Sequence, residues 1–103
     1  MRDNVIYSKK NYCIIMARNG FIIYNTNKKF KDGHTHIKSF KMAKTLIDCA
    51  IHLQTPKTRN PYLLHSLVRI SEDESYKAMI QELDNRIRNR RKGKRKYVNN
   101  SKL

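Results

Sequence analysis

Tyr12-Cys13-Ile14-Ile15-Met16-Ala17-Arg18-Asn19-Gly20-Phe21-Ile22-Ile23-Tyr24-Asn25-Thr26 reads as two strands around a tight turn. Asn-Gly between β-branched and aromatic runs is a strong hairpin signal, because a type I′ turn needs positive φ at both central residues. The spacing predicts strands over Tyr12–Arg18 and Phe21–Thr26, with Asn19-Gly20 as the turn. Both runs are nearly continuous in apolar residues. One face is therefore expected to pack on helices, and the other to be free for a partner or a second copy. Such a sheet permits a homodimer without requiring one.

Val5–Ser8 is a short strand before this hairpin, and Asp32-Gly33 is a second turn signal, between Lys28–Lys31 and His34–Lys38. A further short hairpin is expected there. The pattern then changes to helix. Ser39 is placed to cap a helix over Phe40–Gln54, where Phe40, Ala43, Ile47, Ala50 and Ile51 recur at helical spacing. Thr55-Pro56 ends it, since proline disfavours helix in the residue before it. Asn60-Pro61 opens a second helix, as N-cap and first helical residue. Ser71 and Glu74 have capping-box spacing for a third, whose stripe of Tyr76, Met79, Ile80, Leu83 and Ile87 ends with Gly93 as the expected stop. The expectation is an α+β fold: a small N-terminal antiparallel sheet packed by about three helices over residues 1–92, then a basic, flexible tail over 93–103.

Charge gives the main functional signal. The chain has 103 residues and a formal net charge of +15. Arg86, Arg88, Arg90, Arg91, Lys92, Lys94, Arg95 and Lys96 fill eight of the eleven positions from 86 to 96, and no acid interrupts them. Lys102 brings residues 86–102 to nine cations. The other 14 cationic residues share residues 1–85 with all eight acids, a net of +6. The third helix thus has acids at its start and arginines at its end. Complementing the helix dipole needs only one or two terminal cations, so the excess points to a polyanion. Arginine suits phosphate because its planar guanidinium binds two oxygens at once. Such contacts position a protein without reading base sequence. A second basic cluster, Lys28, Lys29 and Lys31 around Phe30, fits a single strand held by charge and stacking, and equally an edge strand guarded by lysines.

No apolar window approaches the ~18 residues of a membrane span. The start, Met1-Arg2-Asp3-Asn4, has no long apolar core behind it, so no signal peptide is expected. Cys13 and Cys49 each lie in an apolar run without a CxxC partner, which fits reduced core thiols of a cytoplasmic protein. Tyr62 and Tyr76 are expected in the core. No cofactor or metal is implied.

Gly33-His34-Thr35-His36 is the one stretch that suggests catalysis. Two histidines two apart on a strand share a face, and such a pair can serve as acid and base in RNA cleavage. Gly33, His34 and His36 resemble part of the Gly-Ser-His-His strand of HicA-type ribonuclease toxins, although here a helix follows at once. The resemblance implies a small endoribonuclease using His34 and His36. Phosphate or partner contact, or structural hydrogen bonding, are the other roles open to the pair.

Three stretches carry a broader likeness: Lys31–Ile37, Ala43–Asp48 and Tyr62–Ser71. Through them the chain resembles small proteins carried by phages and prophages of AT-rich Gram-positive bacteria. That resemblance implies a role in altering host transcription or blocking a defence effector such as CRISPR. The function expected is non-catalytic binding of nucleic acid or a nucleoprotein. Its alternatives are the ribonuclease and a module that binds an acidic protein surface.

Overall fold

The computed structural model describes residues 4–58 and 60–101, with side chains to residue 90. Four strands, β1 (Val5–Lys9), β2 (Tyr12–Ala17), β3 (Gly20–Asn25) and β4 (His34–Ile37), precede three helices, α1 (Phe40–His52), α2 (Pro61–Ile70) and α3 (Glu74–Ser101). The strands form one antiparallel sheet in the order β1-β2-β3-β4. The α+β class is as expected. Lys28–Lys31 is a loop rather than a strand, and β4 pairs directly with β3.

The β2–β3 hairpin forms, but its turn is Arg18-Asn19, because Ala17 lies opposite Gly20. Neither turn residue has positive φ; that conformation falls on Gly20, at φ 148°. A Cβ there would sit 2.8 Å from the Ile37 carbonyl oxygen. The glycine is therefore needed after the turn, where the hairpin meets the end of β4.

Register divides the residues by face. Ile14, Ile23 and Thr35 form one cross-strand row; Cys13, Tyr24 and His34 form the next, on the opposite face. The first face carries the core: Ile14, Ile23 and Ile37 meet Leu46, Ile47 and Leu67 of the helices, all nearly inaccessible. Burying each such side chain contributes about 1.5–3 kcal/mol. Cys49 joins this core, and burial pushes its thiol pKa up. Cys13 sits half-buried on the other face.

Helix ends explain the chain path. The Ser39 hydroxyl accepts from the Met42 amide at 3.1 Å, and the Asn60 side chain accepts from the Tyr62 amide at 2.7 Å, both as expected. α1 stops earlier than expected, at Leu53, which turns left-handed (φ 55°). α3 is not capped by Ser71. Ser71 instead ends α2, its amide donating to Leu67 O. The Asp73 carboxylate takes the cap, accepting from the Tyr76 amide at 2.8 Å. The expected stop at Gly93 is also absent, since helical backbone continues to Ser101. One internal glycine costs only about 1 kcal/mol relative to alanine, and Arg and Lys on either side are good helix formers.

The short Ser71–Asp73 connection folds α3 back along α2. Asn25 and Lys28 close the other side of that corner. Fully buried Asn25 donates to Ile70 O at 2.8 Å, while its oxygen accepts from the Asn11 side chain and the Asn27 amide, each at 2.8 Å. Lys28 Nζ donates to Arg69 O at 3.0 Å and Ser71 O at 3.2 Å.

Two substitutions at this corner have opposite expected signs. Asn25→Ala strands the buried Ile70 carbonyl and two donors, and should lower unfolding free energy by about 2–4 kcal/mol in urea titration. The Ser71 hydroxyl is buried without a hydrogen-bond partner among the described residues. Ser71→Ala should therefore leave stability unchanged or raise it by about 1 kcal/mol.

Candidate nucleic-acid interface

The basic end starts within the packed part of α3. Leu83 and Ile87 still touch the core, so Arg86 and Arg88 project from anchored helix. Each has a carboxylate one turn back. Arg86 Nε lies 3.5 Å from Glu82, with both side chains exposed, and such a pair contributes little. Arg88 Nε lies 2.8 Å from Asp84, whose residue is only 3% exposed. Arg88 is thus partly committed to neutralising a buried acid. Arg90 is exposed and has no ion pair among the described residues. The side chains of Arg91, Lys92, Lys94, Arg95 and Lys96 lie outside the described residues.

The loop after β3 does not form one cationic patch. Lys28 turns inward to the end of α2, and burial lowers its pKa. Lys29 and Lys31 are exposed. Phe30 between them lies flat on His34, ring centroids 4.5 Å apart and planes at 7°. It also meets Tyr24 at 5.5 Å, and His34 meets His36 at 5.3 Å. Four rings therefore run in sequence along the face of the sheet opposite the core.

His34 and His36 do share a face, with different surroundings. His34 Nδ1 lies 2.7 Å from Phe30 O. A carbonyl only accepts, so Nδ1 carries the hydrogen and Nε2 is left as the acceptor when the ring is neutral. His36 is exposed. Among the described residues no three His, Cys, Asp or Glu side chains converge on a metal-sized site. His52 and His65 stand exposed on α1 and α2.

Three residues of α2 hold this strand in place, of which Ser66 and Arg69 carried no expectation and Tyr62 was expected in the core. Tyr62, Ser66 and Arg69 lie on one side of the helix by their spacing. The Tyr62 hydroxyl donates to His36 O, Ser66 Oγ and Thr35 Oγ1 are hydrogen-bonded at 2.7 Å, and Arg69 Nε donates to His34 O at 2.9 Å. Arg69 Nη2 also donates to Lys31 O at 2.8 Å. α2 thereby covers the free edge of β4, which would otherwise offer its carbonyls to another chain. Tyr62 is not a core residue: it is 53% exposed, whereas Tyr76 is buried and donates to Gln54 O at 2.7 Å. The signal in the sequence was the i, i+4, i+7 spacing of Tyr62, Ser66 and Arg69 on a helix whose one other polar side chain is His65.

No family model, curated protein or solved structure matches this chain. The assignment of function therefore rests on the geometry above. No helix among the described residues is long and apolar enough to cross a membrane.

Arg69→Met should free the carbonyls of Lys31 and His34 while keeping most of the side-chain volume. Amide exchange at Asp32 and Gly33 should accelerate at least tenfold, about 1.4 kcal/mol of local protection. Exchange at Ile14 and Ile23 should be unaltered by hydrogen–deuterium mass spectrometry.

Proposed function

We propose that this chain binds nucleic acid without catalysis, through the basic end of α3 as its main electrostatic contact. The observation that carries the reading is the change along one helix. Up to Arg88, α3 spends its apolar stripe on the core and its first two arginines on Glu82 and Asp84. Beyond that point the cations continue, and residues 86–102 contain no acid to pair with them. Fourteen residues separate Ile87 from the end of the helix at Ser101. At 1.5 Å per residue this is about 21 Å of helix. Unpaired charge at that density is costly in isolation and is stabilised beside phosphate.

A contact of this type gives affinity with little base preference. It suits bare nucleic acid and also a nucleoprotein whose strand is accessible. A host CRISPR or other defence effector, the target implied by the resemblance to phage proteins, belongs to the second class. A protein partner with an acidic face is distinguished by a complex that survives nuclease treatment.

The salt dependence of binding tests the proposal. Each phosphate contact contributes roughly 0.7 (single strand) to 0.9 (duplex) to the slope of log K against log salt. Replacing Arg90, Arg91, Lys92 and Lys94 together by Gln should reduce that slope by about 3 and weaken binding at low salt. An unchanged slope refutes the assignment of the contact to α3.

A further inference from the structure

A cleft opens where the tip of the β2–β3 hairpin meets the end of β4 and the start of α2. Its volume is about 360 Å³, and its lining includes Arg18, Gly20, Phe21, His36, Lys38 and Tyr62. Among the described residues, no acidic side chain lines it. The size lies at the lower end for small-ligand sites, about 300–1,000 Å³.

The cleft is shaped by constraints already described. Gly20 lets the hairpin tip close on Ile37 without a Cβ clash. The hydrogen bond from Tyr62 to His36 O fixes the tyrosine ring against the strand end. The two cations have no such duty. Arg18 occupies the exposed turn and Lys38 the exposed residue after β4, and neither forms an ion pair among the described residues. The accessible part of the ring row, half-buried Phe30 and His34 and exposed His36, ends here, with exposed Lys29 and Lys31 flanking Phe30; Tyr24, at its inner end, is buried. Rings with cations at either end match a single strand, whose bases are free to stack and whose phosphates need neutralising. A duplex hides its base faces and gains nothing from rings.

We propose that this cleft holds one unpaired nucleotide of a single strand, its base against Tyr62 and His36 and its phosphate between Arg18 and Lys38. The proposal rests on the nucleic-acid reading above and adds to it a preference for unpaired strands. Folding α3 back along α2 runs that helix toward the end of α2 that bears Tyr62.

The test uses the full chain and fluorescence anisotropy, with a labelled eight-nucleotide oligouridylate and, separately, a labelled duplex of mixed sequence. Arg18→Gln with Lys38→Gln should weaken oligouridylate binding about tenfold and change duplex binding less than twofold. Tyr62→Ala should weaken oligouridylate binding by a similar factor, while Tyr62→Phe, which keeps the ring, should bind within threefold of the parent. The double charge variant touches no core residue, so it remains informative if Tyr62→Ala unfolds. If the parent binds both probes and the charge variant does so equally well, the cleft proposal fails and the role of α3 stands. Equal losses on both probes overturn the preference for unpaired strands. A parent that binds neither probe overturns both readings.

Discussion

The carbonyl oxygens of Arg69, Ile70 and Ser71, at the C-terminal end of α2, are met by side chains from β3 and the loop after it. Asn25 takes the middle one from within the core, and Lys28 takes the other two. A helix end leaves such carbonyls without partners, and burying them unsatisfied is costly. Here the same bonds also fix where the helix lies relative to the sheet. With its C-terminal end pinned, α2 presents Tyr62, Ser66 and Arg69 to β4 in register. The helix return at Ser71–Asp73 then sets the course of α3. The ring face, the cleft and the basic helix depend in turn on that corner.

This arrangement gives the two basic regions different work. Lys28 resembles an exposed phosphate ligand in the sequence, yet it is an internal strut whose burial lowers its pKa. Arg69 is likewise turned to backbone carbonyls. Arg88 is drawn to a buried carboxylate. Lys29, Lys31, Arg18 and Lys38 around the sheet, and Arg90 on α3, are among the exposed cations with no ion pair among the described residues. A rigid body with rings and a few cations, extended by a densely charged helix, can combine long-range attraction with a defined contact.

Much of the fold was legible because local signals and burial agreed. The two β-branched and aromatic runs of Tyr12–Thr26 around a turn signal marked the hairpin, and Ser39 and Asn60-Pro61 marked two helix starts. The misreadings occurred where one residue had two eligible roles. Ser71 fits a capping box, but its backbone had already been taken by the end of α2, and Asp73 was the better-placed acceptor. Asn19-Gly20 fits a type I′ turn, but the approach of Ile37 requires the glycine one place later, beside β4. The site was less legible than the fold. Charge density located the basic end of α3, whereas Arg18, Lys38 and Tyr62 are brought together only by tertiary contacts that no spacing in the sequence encodes.

The central claim is that the ring-lined cleft and the basic helix form two parts of one nucleic-acid surface. Amide chemical-shift mapping of the isotope-labelled full chain, titrated with a single-stranded oligouridylate, tests it most directly. The account predicts shifts at Arg18, His36, Lys38 and Tyr62 together with residues 86–96, and little change along the Lys41–Asp48 surface of α1. Shifts confined to α1, or no shifts at saturating oligonucleotide, would contradict it.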